Sequence, residues 1–349
     1  MTLVGEFDLI RDLLAKVNSR AGDGAHTGTD DEDRKEVGSG GVGCGFRAPG
    51  VWLGAGDDAA VLDVGRVVLS TDLTVEDVHF RRSWVTFAEA GTRAVTAAAS
   101  DLAAMAAAPV AVLISLAVAP LEAQAILSEL GDGFKAVLRE LGVPLVGGDL
   151  SASPGPVIID VTVVGTAEEP VTRGGAEAGD ELWVTGVLGG SAGAVLAWRE
   201  GAEPNPSLRE SFVRPTARIK EARWLADEVH VRAMIDLSDG LSGDARHLAA
   251  ASGVRVVLDP GLVPVHPGLA MEDARSVAMS GGEDYELCFV SPAGVTGPRA
   301  DEFQERFGIG LTRVGQVEQG TGVEVVGTAD GRESVSGGFD HFSFRERPC

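Results

Sequence analysis

Apolar and polar positions follow two rhythms along this chain. Near the start, Phe7, Ile10, Leu13, Leu14 and Val17 recur at three- and four-residue spacing, which predicts an amphipathic first helix. From Val51 onward, short runs rich in Val, Ile and Leu alternate with longer stretches rich in Ala and Leu. "VVLSTD" predicts a strand ending in acids, and "FAEAGTRAVTAAASDLAAMAAA" a long helix. "VAVLISLAV" predicts a strand, and "LEAQAILSELGDGFKAVLREL" a helix stopping at Gly142. "VPLVGGDLS" reads as a strand followed by a Gly-Gly-Asp turn, and "PVIIDVTVVGTA" as another strand.

The pattern then restarts. "GDELWVTGVLGGSAGAVLAW" predicts a strand, a glycine turn and a helix. "ARIKEARWLADEV" predicts a helix, and "RAMIDLSDGLSGDARHLAAASG" a strand, an acidic turn and a helix. "VRVVLDPGLVP" and "SGGEDYELCFVSP" each supply a further strand, the second after an acidic turn. Strands alternating with helices predict an α/β protein. The length, 349 residues, suits two domains, and the break is expected near residues 165–172, giving 1–168 and 169–349.

Two stretches depart from these rhythms. Residues 21–50 are rich in Gly, Asp and Glu with almost no large apolar side chains, so a flexible, solvated surface loop is expected there. Leu102–Pro120 carries no charge and imitates a membrane span. Alanine contributes little to insertion, however, and Pro109 divides the run, so a buried helix followed by a buried strand is expected.

Charge narrows the partners. Asp and Glu number 52 against 29 Lys and Arg, a formal charge of −23. That argues against a nucleic-acid backbone or an anionic membrane. A phosphorylated small molecule stays open if metal cations supply the neutralising charge. The three cysteines, Cys44, Cys288 and Cys349, fit no zinc or disulfide pattern, and the N-terminal segment has no signal-peptide core, so a cytoplasmic setting is expected.

Acids gather where elements end: Asp57 and Asp58, Asp72, Asp101, Asp149, Asp236 and Asp239, Glu283 and Asp284. Singly, each reads as a cap or turn residue. Collectively they suggest more. Asp101 interrupts an apolar helix, where a buried carboxylate needs a partner or a cation. Asp236 and Asp239, with Ser238 between them, are spaced to face one ion. With the hydroxyls of Ser70 and Thr71 they form an all-oxygen set suited to Mg²⁺, whereas six histidines make zinc a poor candidate. "TGVLGGSAG", Thr185–Gly193, offers a helix N-terminus that could take a phosphate on its amides. It lacks the Lys-Ser/Thr of a Walker A loop, and the chain has no "HRD" or "DFG".

"GAGDDAAVL", "STDLTVEDVHF", "SDLAAMAAAP", "LVGGDLS", "VTGVLGGSAG", "IDLSDGLSGDARHLA", "SGGEDYELCF" and "GFDHF" occur in the order expected of the thiamine-monophosphate kinases. The chain resembles that family, within the aminoimidazole ribonucleotide synthetase superfamily, from Val51 to Phe342. The resemblance implies a two-domain α/β (α+β) fold. Its N-terminal domain would form a β-barrel shared in a homodimer, and its C-terminal domain would be α/β. It implies transfer of the ATP γ-phosphate to thiamine monophosphate, the last step in making thiamine diphosphate, with several Mg²⁺ ions.

By motif, the resemblance places Asp58, Ser70, Thr71, Asp72, Asp101, Asp149, Asp236 and Asp239 on metal. It places Gly148, Asp149, Arg173 and Ser238 on ATP, and His79, Glu283 and Phe339 on the thiamine side. The family often has a hydroxyl- or indole-bearing aromatic at position 339, and phenylalanine keeps the stacking face without the polar handle.

The implied chemistry suits these residues. A phosphate nucleophile, with a second pKa of about 6, is largely ionised at neutral pH and needs no strong base. Metal ions and positioning carry such transfers, so no covalent enzyme intermediate is expected and free thiamine should be refused.

Sister enzymes fit less well. Selenophosphate synthetase would want a reactive residue beside Gly-Lys, but Cys44 precedes "GFR". The hydrogenase-maturation dehydratases end in Pro-Arg-Ile-Cys, but this chain ends "ERPC". Aminoimidazole ribonucleotide synthetase itself, and a non-catalytic binder of thiamine phosphates, are the remaining rivals.

Overall fold

The computed structural model describes residues 6–18, 51–53, 61–270, 272, 274–327 and 332–334. The expectations for Asp57, Asp58, the 21–50 stretch, Cys44, Phe339 and Cys349 lie outside them. Two compact units emerge. One comprises Met1–Gly65, Thr71–Val95 and Pro109–Val164; the other comprises Arg66–Ser70, Thr96–Ala108 and Gly165–Cys349.

The first unit opens with α1 (Glu6–Asn18), then β1 (Val51–Leu53) and β2 (Val61–Leu62), a short antiparallel pair. Next come β3 (Val67–Val75) and α2 (Phe87–Ala104), whose Val67–Ser70 and Thr96–Ala104 parts belong to the second unit, then β4 (Ala108–Val118), α3 (Ala123–Leu141), β5 (Leu145–Ala152) and β6 (Ile158–Thr166). The sheet order is β3-β6-β4-β5. Helix α3 buries Ile126, Leu127, Leu130, Phe134, Val137 and Leu138 on one stripe and ends on Gly142 in the left-handed region, as its sequence predicts. Asn18 at the end of α1 exchanges two 3.1 Å hydrogen bonds with the backbone of Leu145, extending the ladder at the start of β5.

Three local expectations change. Strand β3 runs through Asp72 to Val75 instead of ending at the acids. Pro109 sits inside β4, not between elements. The Gly-Gly-Asp segment is not a turn, because β5 continues through it and pairs in parallel with β4, Ile114 opposite Gly148 and Ser115 opposite Asp149. Gly148 makes this possible. Its φ is +148°, and a Cβ there would overlap the Ile114 carbonyl, so the strands meet closely only with glycine.

The second unit contains β7 (Glu181–Thr185), α4 (Gly190–Arg199), α5 (Pro206–Val213), α6 (Ile219–Trp224), β8 (Ala233–Asp236), α7 (Leu241–Ser252) and β9 (Arg255–Leu258). It continues with α8 (Ala274–Ser280), β10 (Leu287–Ser291), α9 (Ala300–Phe307), β11 (Leu311–Glu318), β12 (Gly322–Val326) and β13 (Arg332–Ser334). Its seven strands are ordered β13-β12-β9-β11-β7-β10-β8, antiparallel except for β12 beside β9. Leu182, Val184, Ile235, Val256, Cys288 and Val290 bury one core with Leu248 of α7. Burial of Cys288 accords with its reading as a core residue, and pushes its thiol far above the ordinary range. Trp198 and Phe212 join α4 to α5 edge to face, 5.2 Å between centroids. No described helix is long and apolar enough to cross a membrane; Leu102–Pro120 is the end of α2 followed by β4.

Candidate active site

In the second unit, carboxylates from distant parts of the chain converge at the ends of β8, β7 and β10. Strand β8 is fully buried to its last residue, Asp236; Ala233 and Ile235 pack into the core shared with α7, and Met234 and Asp236 alternate to the other face. Ser100, late in α2, donates its hydroxyl to Asp236 at 2.8 Å. One residue on, Asp101 accepts from the hydroxyl of Ser70. Burial raises the Asp236 pKa to about 7, with the Asp101 charge adding to the rise; Ser100 and the cationic Arg173 oppose it. Ser70, Asp101, Arg173 and Asp236, singled out from sequence, therefore interact in the folded unit.

The turn after β8 brings in more acids. The backbone N–H of Asp239 donates to Asp244 at 3.0 Å. Burial pushes Asp244 up to about 8, helped by the charge of Asp236. Ligand-capable atoms of Asp239, Asp244 and His247 lie within 4.8 Å of one another. Asp244 was missed from sequence. The available signal was its position one turn before His247 on a helix that begins immediately after the Asp-Gly pair.

The Gly281–Tyr285 loop completes the group. The N–H of Glu283 donates to the Ser238 carbonyl and that of Tyr285 to the Leu237 carbonyl, both at 2.9 Å. This places Ser238 and Glu283 on two adjoining loops of the second unit. Asp284 turns the other way, accepting from Gly189 N–H at 2.8 Å and from the backbone of Ser191. Burial raises its pKa to about 7 despite those bonds. The N-terminus of α4 thus already holds a carboxylate: the Gly189 and Ser191 amides, two of those that "TGVLGGSAG" offers to a phosphate, are taken by Asp284.

The first unit carries Thr71, Asp72, His79, Gly148 and Asp149. Side chains alternate along β3, so Thr71 faces opposite Ser70 and Asp72. Thr71 meets Asp160 at 3.0 Å and Thr162 at 3.1 Å on β6, which puts its hydroxyl on the sheet's open face. Any metal contact by Thr71 on the Ser70 side would have to use the backbone. Asp149 is exposed on edge strand β5, accepting from its neighbour Leu150 at 2.9 Å.

His79 sits in a tight loop after β3, and Val75 N–H donates to its Nδ1 at 3.0 Å. A neutral ring so held carries its proton on Nε2. Arg82 braces the loop by gripping Glu76, which also accepts from Val157 N–H at 2.9 Å. Burial pulls Glu76 upward, but Arg82 and that N–H outweigh it and hold the carboxyl below its ordinary range.

A cavity of about 560 Å³ opens at the other end of β7, beside Asp180, Glu181, Arg313 and Glu318. None of the predicted site residues lines it.

Known proteins share this arrangement over most of the chain. Residues 56–167 match the AIR synthase related protein N-terminal domain, and residues 177–328 the C-terminal domain. The thiamine-monophosphate kinase of Mycobacterium tuberculosis (strain CDC 1551 / Oshkosh) is 38% identical over 256 residues, covering 69% of this chain and 76% of that protein. Among solved structures, the thiamine-monophosphate kinase of Stenotrophomonas maltophilia K279a aligns with a TM-score of 0.73 at 33% identity, over 80% of this chain and 92% of that one. "AaThiL complexed with AMPPCP and TMP" aligns with a TM-score of 0.69 at 33% identity, over 82% and 91%.

Proposed function

The chain belongs to the thiamine-monophosphate kinase family of the AIR synthase related proteins, and from that membership we propose that it transfers the γ-phosphate of ATP to thiamine monophosphate. The products are thiamine diphosphate and ADP. One observation carries the reading: a relative of the same fold, 33% identical over 82% of this chain, is solved with AMPPCP and TMP together. The first is an ATP analogue standing in for the donor, and the second is the acceptor.

Mg²⁺ fits the donor set of Asp101, Asp236 and Ser70, which is oxygen throughout. The elevated pKa of Asp236 is the condition a nearby divalent cation relieves. We assign Asp58, Ser70, Thr71, Asp72, Asp101, Asp149, Asp236 and Asp239 to metal. When bound, Mg²⁺ supplies charge neutralisation between the two polyanions. Gly148, Asp149, Arg173 and Ser238 would hold ATP, and His79, Glu283 and Phe339 the thiamine side.

The residues then bind and orient rather than donate electrons. Arg173, exposed and within electrostatic reach of Asp236, offers a planar cation to phosphate oxygens. His79, with its proton on Nε2, offers a donor and not a base. Glu283 offers a carboxylate to a cationic ring. The acceptor phosphate arrives ionised, so transfer proceeds directly and in line.

We further propose a cytoplasmic homodimer. Residues 1–168 would contribute nucleotide, metal and dimer contacts, and 169–349 the α/β part of the site. The outward face of β3 supports the dimer, since Val67, Leu69 and Leu73 stand 42%, 64% and 50% exposed on one side of the strand.

A chromatographic assay with ATP, Mg²⁺ and thiamine monophosphate tests the reaction. Thiamine diphosphate and ADP should form one to one and vanish with EDTA or in Asp101→Asn. Folded, ATP-binding protein that forms no thiamine diphosphate would sink the proposal, and formylglycinamidine ribonucleotide would be tried next.

A further inference from the structure

The Gly281–Tyr285 loop holds a backbone that ordinary side chains avoid. Glu283 (φ +67°) and Tyr285 (φ +53°) are both left-handed without being glycine. Such conformations persist only where surrounding contacts over-determine them. The Ser238 and Leu237 carbonyls hold the two backbone N–H groups, and the loop's end is anchored by the next residue, Glu286, which is 6% exposed.

Glu286 is gripped from three sides. Arg218, at the start of α6, approaches with its guanidinium fork, Nε donating to Oε2 at 2.9 Å and Nη2 to Oε1. Thr185 Oγ1 donates to Oε2, and the same hydroxyl accepts from Leu287 N–H at 2.9 Å. Gly186 (φ +60°) passes so close that a Cβ there would strike the carboxylate. Leu237 N–H binds the Glu286 carbonyl at 2.8 Å. The end of β7 and the start of α6 therefore meet at the Glu286 carboxylate, and the loop after β8 is tied to the same residue through its backbone. Glu221 adds a second acid beside the same arginine, 3.6 Å away.

We propose that Arg218 is a positioning residue for the transfer: by gripping Glu286 it holds the Gly281–Tyr285 loop, and with it Glu283, in the conformation that receives the acceptor. This rests on the assignment of Glu283 to the thiamine side. A fork is required because two parallel hydrogen bonds fix the carboxylate plane, which a single ammonium cannot do.

The test separates holding from catalysis. Arg218→Lys keeps the charge and loses the fork. Hydrogen exchange on the full chain should quicken roughly tenfold at the amides of Glu283, Tyr285 and Leu287, while strand β7 stays protected. KM for thiamine monophosphate should rise roughly tenfold with a smaller change in kcat, a split that general loss of folded protein would not produce. Combining Arg218→Lys with Glu283→Ala should be no worse than Glu283→Ala alone, because both act through one group.

Glu286→Gln gives the same exchange pattern if Arg218→Lys folds poorly. Unchanged exchange at these amides, or fully additive kinetic effects, overturns the proposal. If the unmodified protein makes no thiamine diphosphate, the kinase reading fails instead, and exchange still decides whether Arg218 holds the loop.

Discussion

Ser100 donates a hydrogen bond to Asp236 at 2.8 Å, linking the only hydroxyl beside Asp101 in α2 to the buried end of β8. That bond favours the ionised carboxylate against the pull of burial. Ser100→Ala should therefore make Asp236 hold its proton to higher pH. The acid limb of the kcat/KM profile should move up by about half a unit to one unit, and more Mg²⁺ should be needed near neutrality. Kinetics from acid to mildly alkaline pH, at several Mg²⁺ concentrations, would show it. A lowered plateau with an unmoved limb would mean that the bond only packs the helix.

Asp284 makes a separate prediction about stability. Folding raises its pKa to about 7 by burial. Between the ordinary carboxylate range and that value, the folded chain holds a proton that the unfolded chain has released. Its contribution to stability is therefore present in acid and is lost as pH rises toward and through about 7. Asp284→Asn keeps an oxygen for Gly189 N–H and removes the titration. In EDTA, the variant should lose less stability than the wild type between about pH 5 and about pH 8, by on the order of 1 kcal/mol or more. Denaturant curves at the two pH values would measure this, and parallel losses would contradict it.

Gly148 should tolerate no side chain. A Cβ would overlap the Ile114 carbonyl where β5 meets β4, and the φ of +148° is itself unfavourable for alanine. Gly148→Ala should destabilise the protein by roughly 2–4 kcal/mol, through strand separation and backbone strain. ATP binding should weaken with it, because Asp149 is the next residue on the same strand. Gly155→Ala, where nothing lies within 4 Å, is the control expected to be near neutral.

The alternation of strands and helices was legible because β-branched runs and Ala-Leu helical stripes carry their own periodicity. "IDLSDGL" reads directly as β8, a turn and α7. Asp101 was legible as an acid in need of a partner, because a carboxylate inside an apolar helix must find a hydrogen bond or a cation, and it meets the Ser70 hydroxyl. What escaped was decided by partners remote in sequence. The Gly-Gly-Asp segment looks like a turn until β4 is known to lie beside it. Asp284 looks like part of an acidic turn until α4 is seen to offer it amides from 95 residues away. The Arg218–Glu286 pair spans 68 residues and leaves no local pattern at all.

The outer face of β3 makes the last prediction. Leu69 and Leu73 are 64% and 50% exposed on a strand that sits at the edge of its sheet. Edge strands that stay monomeric usually carry charge or proline at such positions, yet this face presents Val67, Leu69, Thr71 and Leu73. A second copy of the chain covering the face would bury the leucines, each contributing about 1–2 kcal/mol when fully covered. The wild type should therefore sediment at twice the chain mass. Leu69→Glu combined with Leu73→Glu should sediment at the chain mass at micromolar concentration, because two buried like charges would face their counterparts across the interface. Circular dichroism unchanged from wild type would show that the monomer still folds. If kinase activity falls with the dimer while ATP still binds, the acceptor side is completed by association. If a folded monomer keeps full activity, each chain carries a complete site, and the apolar face serves assembly alone.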